Sequence, residues 1–340
     1  MPTIREVAQH AQVSSATVSH VINRTRFVDP DTQARVRQSI AMLGYRPNLL
    51  ARSLRRRETR TVGLLVPDNA NPFFAEFARV VEDAGFAEGY SVILCNSDRS
   101  ETKEQAYLDL LLAKQVDGII VISATERTDL LRHVLELGVP MVVVDGNTAE
   151  LPVSQVQVAN EQGGYLAGSY LAGLGHRRVG CIGGPSGANP SWMRVVGFLR
   201  AMREAGVEVG PEAIVEGDFR YAGGQSGMQT LLERNLGLSA VFAANDLMAI
   251  GAMLALRGAG LAIPDDISLV GFDNIMQAAT MIPALTTVEQ PVSELGRAAV
   301  DMLFDQMLKR SLEPARFEVA TRLVERESCR ALAAAVAERR

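Results

Sequence analysis

From Thr61 to Asp273 the chain repeats one pattern: a short unbroken run of Val, Ile and Leu, then a longer stretch whose apolar residues recur every three or four positions. The runs are TVGLLVP, YSVILCN, DGIIVIS, PMVVVD, RRVGCIGG, AIVEGDF, AVFAAND and ISLVGFD, and helices are expected between them, among them Phe73 to Glu88, Lys103 to Ala113 and Ala222 to Glu233. A strand that is apolar on both faces has no side to offer water, so the sheets are expected to be parallel with helices on both faces. Two successive groups of such units predict two doubly wound α/β lobes, divided near residue 160.

The first 46 residues follow a different period. Thr3 and Glu6 have capping-box spacing, and Ile4, Val7, Ala8 and Ala11 fall on one helical face. Ser14 can cap a second helix that turns Val18, Val21 and Ile22 inward and leaves Ser15, Ala16, Ser19 and His20 outside. A third helix is expected from Asp29 and Pro30, through Val36, Ile40 and Leu43, to a stop at Gly44. Two short helices, a tight turn and a supporting third helix describe an all-α helix-turn-helix module.

Charge sharpens this division. The total is -5, yet residues 1 to 60 hold 11 arginines against four carboxylates, a local +7 that leaves -12 for the remainder. A basic head on an acidic body is the electrostatic footprint of a nucleic-acid module. The short polar side chains outside the second helix suit base edges in a major groove, whereas a membrane-surface helix would carry large apolar residues and lysines. No run approaches the roughly 20 apolar residues of a membrane span. The start, MPTIREVAQHAQ, also lacks the basic and apolar regions of a signal peptide, so a cytoplasmic protein without a membrane partner is expected. Cys95, Cys181 and Cys329 are far apart and outside any CxxC pair, which points to neither disulfides nor a metal site.

Ligands of parallel α/β sheets bind beyond the carboxyl ends of the strands. Those ends carry Asn71, Phe73 and Phe74 in DNANPFF, Asp145, Trp192 and Arg194 in the loop PSGANPSWMR, Phe219 in DFRY, Asn245, and Asp273, with Gln290 in the later VEQP. Paired donors and acceptors beside aromatic faces suit a polyhydroxylated sugar. Each residue also has a plainer reading: Asp and Asn after a strand cap the next helix, and Phe73 and Phe74 fit a core. No P-loop, GxSxG, HExxH or well-placed GxGxxG occurs, so no enzyme and no cofactor are expected.

TIREVAQHAQVSSATVSHVINRTRFV and LARSLRRRETRTVGLLVPD resemble the DNA-binding domain and the hinge of the lactose and galactose repressor family, nearest its purine and ribose branches. The resemblance runs to about residue 326 and implies a sequence-specific repressor controlled by a small molecule between two lobes of periplasmic-binding-protein type. It implies a head at 1–46, a hinge and linker at 47–60, and an effector and dimerisation domain at 61–328, followed by a tail at 329–340. Within the effector domain, lobe 1 would take about 61–159 and 290–320 and lobe 2 about 160–289.

By position, the implied major-groove readers are Ser15, Ala16 and His20. Ala16 replaces the threonine or larger polar residue often found there, so contact with a thymine methyl is its expected role. Thr3, Ser14, Thr17, Asn23 and Arg24 complete the implied contacts of the head, and Arg52, Ser53, Leu54 and Arg55 those of the hinge. The hinge is too short to be a stable helix alone, since isolated helices under about 12 residues are marginal in water. In the family two hinges pair on DNA, and Leu54 matches the leucine that wedges into the minor groove. A homodimer on a near-palindromic double-stranded operator is implied.

Arg194 and Asp273 match the family residues that most often grip the effector. Ala188 and Pro190 replace an arginine and a threonine of the purine branch, which moves the expected effector to a sugar, ribose first, acting as inducer. The alternatives are a corepressing purine and a solute-binding protein without DNA function. Replacing Leu54 with Ala is expected to weaken specific operator binding more than tenfold in a fluorescence-anisotropy titration while effector binding is kept; unchanged operator affinity would refute the wedge.

Overall fold

The computed structural model describes residues 2–23, 25–45, 58–122, 128–146, 148, 151–186, 189–311 and 313–332. The expected contacts Arg24, Arg52, Ser53, Leu54 and Arg55, and the departure at Ala188, lie outside the described residues. The chain forms two compact units, Met1–Thr59 and Arg60–Arg340.

In the head, Thr3 caps α1 (Ile4–His10) by accepting from the Glu6 N–H, while the Thr3 N–H donates to the Glu6 carboxylate at 2.6 Å. Ser14 Oγ accepts from the Thr17 N–H at 3.0 Å where α2 (Ser15–Asn23) opens. Asp29 caps α3 (Pro30–Leu43), which stops at Gly44 with a φ of 60° that suits glycine. Val7, Ala8, Ala11, Val18, Val21 and Val36 form the buried centre. A 2.9 Å hydrogen bond between His10 Nδ1 and Ser39 Oγ ties α1 to α3.

The body holds two six-stranded sheets. The first runs in the order β11 (Arg316–Val319), β5 (Ser154–Val158), β4 (Met141–Val144), β3 (Gly118–Ile122), β1 (Thr61–Val66) and β2 (Ser91–Asn96), with all neighbours parallel. The second runs β12 (Arg322–Val324), β10 (Thr286–Glu289), β9 (Ser268–Asp273), β8 (Ala240–Ala243), β6 (Val179–Gly183) and β7 (Ile214–Glu216), parallel except for the β10–β12 pair. The chain passes between sheets after β5, after β10 and after β11. Helices α4 (Pro72–Ala87), α5 (Glu101–Ala113), α6 (Thr128–Glu136) and α12 (Val292–Met307) belong to the first lobe. The second lobe has α7 (Asn160–Gly173), α8 (Asn189–Glu204), α9 (Tyr221–Glu233), α10 (Asp246–Gly258) and α11 (Met276–Thr280).

Three expectations need correction. β5, β10, β11 and β12 are strands in addition to the eight apolar runs, because their polar residues are satisfied by hydrogen bonds or face water. Thr287 Oγ1 donates to Asp246, the Ala315 N–H donates to Ser154 Oγ, and Gln155 donates to the Gly146 carbonyl. Second, the loop PSGANPSWMR ends early: α8 begins at Asn189, so Trp192 and Arg194 stand on a helix. Third, the tail does not separate at 329. Ser328 is fully buried, the Arg330 N–H donates to Ser268 Oγ at 3.1 Å, and the Leu332 N–H donates to the Leu174 carbonyl at 2.9 Å. These bonds hold the described end of the chain, to Leu332, against the second lobe.

The glycines of GGYLAGSYLAGLG serve helix packing. A Cβ on Gly164 of α7 would stand 1.9 Å from the Arg194 carbonyl oxygen, and one on Gly197 of α8 would stand 1.9 Å from that of Glu161. Gly164→Ala is therefore expected to lower stability by about 2 kcal/mol or more in urea unfolding, since overpacking a close helix contact forces backbone shifts. Gly173→Ala, with nothing within 4 Å of its added methyl, is the control and should not lose stability; equal effects would contradict the packing account.

Candidate functional site

On the head, Ala16 of α2 is exposed, while Ser15, Thr17, His20 and Asn23 are half-buried. His20 Nδ1 lies 2.7 Å from Thr25 Oγ1, and the Asn23 amide donates to the Ser19 carbonyl at 2.8 Å. The Thr3 and Ser14 hydroxyls are engaged as helix caps, which leaves the opening turns of α1 and α2 set up at polar helix N-termini.

In the body, one polar network joins strand ends of both sheets. Arg194, in the second turn of α8, is buried at 5% exposure. Its Nε donates to Asn160 Oδ1 at 2.8 Å, and its Nη1 donates to the Ala244 carbonyl at 2.7 Å and lies 3.3 Å from Asp273 Oδ1. The guanidinium carbon sits 3.9 Å from the centre of the Phe272 ring, a cation–π contact of about 2 kcal/mol when desolvated. Gln290 Nε2 donates to the same Asp273 oxygen at 2.6 Å. Asn160 Nδ2 reaches both oxygens of Asp145, at 3.0 and 3.1 Å, and Asp145 Oδ1 also accepts from the Val158 N–H at 3.0 Å. Asp145, at the end of a first-sheet strand, is thereby connected through Asn160 to Arg194 and Asp273 of the second lobe.

Burial sets the charges here. It pushes the Arg194 guanidinium down from its ordinary value, against the pull of Asp273 and Asp145. It pushes the Asp273 carboxyl up to about 6 although Arg194 and Gln290 oppose the shift. Asp145 is raised for the same reason, with the Val158 N–H, Arg194 and Asn160 resisting. Asp246 is raised well above the ordinary range by burial and by the charge of Asp273, though Thr287 Oγ1 donates to it at 2.6 Å and the Ile275 N–H at 2.9 Å. Asp145, Phe219, Asp273 and Asn274 all have positive φ, at 55°, 63°, 116° and 59°, so the strand ends hold strained backbone of the kind that accumulates at binding sites.

Among the residues expected from sequence, Asp145, Arg194, Asp273 and Gln290 fall in this network. Asn245 and Phe219 form a second group: Asn245 Oδ1 caps α10 through the Met248 N–H, and its Nδ2 donates to the Phe219 carbonyl at 3.0 Å. Asn71 caps α4 by accepting from the Phe73 N–H at 3.0 Å, and Phe73 is a buried core residue edge-on to half-buried Phe74 at 5.1 Å. Trp192 does not join Arg194: two residues apart on a helix means about 200° of rotation, and Trp192 is 62% exposed. Sequence reading missed Asn160, which follows the unrecognised strand β5. It also missed Thr287, the buried hydrogen-bond partner of Asp246 at the end of the AVFAAND run. Among the described residues, no group of three or more His, Cys, Asp or Glu could hold a metal, and no helix is long and apolar enough to cross a membrane.

A helix-turn-helix head joined to a two-lobed α/β body with a polar network between its lobes is the architecture of a ligand-controlled DNA-binding regulator. Residues 3–48 match the bacterial regulatory proteins of the lacI family, and residues 59–327 match the periplasmic binding proteins and sugar-binding domain of the LacI family. The chain is 42% identical over 331 residues to the HTH-type transcriptional repressor PurR of Photorhabdus laumondii, covering 96% of this chain and 97% of that one. It is similar in structure to the lac repressor dimer bound to operator and the anti-inducer ONPF, at TM-score 0.89, 27% identity and 97% and 99% coverage. It is also similar to a LacI-family regulator from Enterococcus faecium with bound ribose, at TM-score 0.72, 32% identity and 80% and 100% coverage. The chain belongs to the LacI family. It is a DNA-binding transcriptional repressor with a small-molecule effector and not an enzyme.

The raised Asp273 pKa has a testable consequence. A carboxyl whose folded pKa exceeds its unfolded value stabilises the fold fully below the unfolded value, 3.8, and loses that contribution as pH rises through about 6. Between pH 4.5 and 7.5 the wild type should therefore lose stability relative to Asp273→Asn in urea unfolding; a pH-independent difference would contradict the buried, charge-opposed position of Asp273.

Proposed function

We propose that the effector is a neutral polyhydroxylated sugar, a pentose such as D-ribose first, held by Asn71, Phe73, Phe74, Asp145, Arg194, Phe219, Asn245, Asp273 and Gln290, and that it acts as an inducer. The observation that carries this reading is the network through Arg194, Asp273, Gln290, Asn160 and Asp145, in which planar groups that donate and accept in pairs converge from both lobes. Vicinal hydroxyls match such pairs because each hydroxyl donates once and accepts twice. The cleft's carboxylates disfavour an anion. The ribose-bound regulator from Enterococcus faecium supports the same chemistry.

A homodimer places two heads on a near-palindromic operator, with Thr3, Ser14, Ser15, Ala16, Thr17, His20, Asn23 and Arg24 at the half-site and Arg52 to Arg55 at its centre. Effector binding changes the relative orientation of the lobes and so the pairing of the hinges. It acts only through unequal affinity for the two arrangements.

The second reading is a purine base acting as corepressor, favoured by the 42% identity to a repressor named PurR. Against it stands Pro190 in the first turn of α8, where the resembled purine branch has a threonine.

Calorimetric titration with D-ribose and with hypoxanthine separates the two. Ribose is expected to bind at micromolar affinity and to release a labelled operator, and Asp273→Asn should lose both effects while operator binding persists. Hypoxanthine binding alone, with tighter operator binding, would replace the sugar reading by the purine one.

A further inference from the structure

Arg99, in the loop after β2 of the first lobe, is absent from every group described so far. Its Nη1 donates to the Asp218 carbonyl of the second lobe at 2.8 Å, and its guanidinium carbon lies 4.8 Å from the centre of the Phe219 ring. Arg220 returns the exchange, its Nε donating to Asp68 of the first lobe at 3.0 Å. Each lobe thus sends one arginine to the other. Asp98 and Arg99 both hold left-handed backbone, with φ of 51° and 58°.

Arg220 completes an ion pair, but Arg99 is left incomplete. Its Nε is buried and has no hydrogen-bond partner among the described residues. Burial pushes its guanidinium below the ordinary value, while the charges of Asp68, Asp218 and Asp273 pull the other way. Gln290, only 2% exposed, spends its amide N–H on Asp273 and keeps a buried Oε1 that likewise has no partner among the described residues. Buried polar groups are rarely left unmade, because each forfeits its hydration without replacement. Here the two orphans are complementary: one is a donor from the first lobe, the other an acceptor beside Asp273.

We infer that Arg99 is a specificity-determining contact of the effector, donating from its Nε to an oxygen or ring nitrogen of the molecule held by Arg194, Asp273 and Gln290. This rests on the cleft being the effector site. The bound molecule must offer an acceptor to Arg99 and a donor to Gln290; hydroxyl groups serve both. Because Arg99 also grips the Asp218 carbonyl, a molecule that engages it adds to the contacts joining the two lobes.

The test is calorimetric titration of the full-length protein with D-ribose and, separately, hypoxanthine, on wild type, Arg99→Ala, Arg99→Lys and Asp273→Asn. The probe that binds wild type should bind Arg99→Ala roughly 10- to 100-fold more weakly, the worth of one charged hydrogen bond. Arg99→Lys, which keeps charge and stem but lacks the planar Nε donor, should also lose affinity and guards against a folding defect in the alanine variant. Wild-type affinity in both Arg99 variants, with binding lost in Asp273→Asn, would overturn the role of Arg99 and leave the site standing. Silence of wild type to both probes, or full binding by Asp273→Asn, would overturn the site reading and this inference with it.

Discussion

The body of this protein depends on burying one guanidinium. Arg194 is carried into the second lobe by α8 and lies on the face of Phe272. An unpaired charge at such depth would destabilise the fold by several kcal/mol, so its surroundings must compensate it. Asp273 supplies the countercharge, the Ala244 carbonyl and Asn160 take the remaining directions, and Gln290 fixes Asp273 in turn. Gly164 lets α7 approach the backbone of α8 at this very residue, so helix packing and charge burial are one constraint.

That constraint also bears on the proposed effector site. Arg194 and Asp273 belong to the second lobe, Asp145 to the first, and Asn160 stands at the crossing between them. A molecule that bonds to this set acts on a position where a small relative movement of the lobes changes several hydrogen bonds at once. Such a position is suited to coupling, since only a difference in contacts between two arrangements lets a ligand shift their balance.

Much of this was legible in the sequence. The head was read from caps and period alone, with Thr3, Ser14, Asp29 and Gly44 marking helix ends where the structure has them. The inner apolar strands were legible because both faces are covered, as in IIVI and VVV, and the edge strands β2 and β7, partly exposed, by the same apolar runs. β5 and β10 were not, because Ser154, Gln155, Thr286 and Thr287 are fully or nearly buried yet polar, their desolvation offset by side-chain hydrogen bonds that no local pattern records. The same blindness hid Asn160, since its significance follows from the end of β5. Residue type singled out Arg194 and Asp273, which the fold brings together, but it did not distinguish Trp192, turned outward on the same helix.

The most direct measurement is of coupling in both directions. The affinity for D-ribose is measured on the free protein and on its operator complex, and the operator affinity is measured with and without saturating ribose. The account predicts weaker ribose binding on the operator complex, by the same factor as ribose weakens operator binding, because linkage requires the two to be equal. Ribose affinity that is identical with and without operator would contradict control of DNA binding from the cleft.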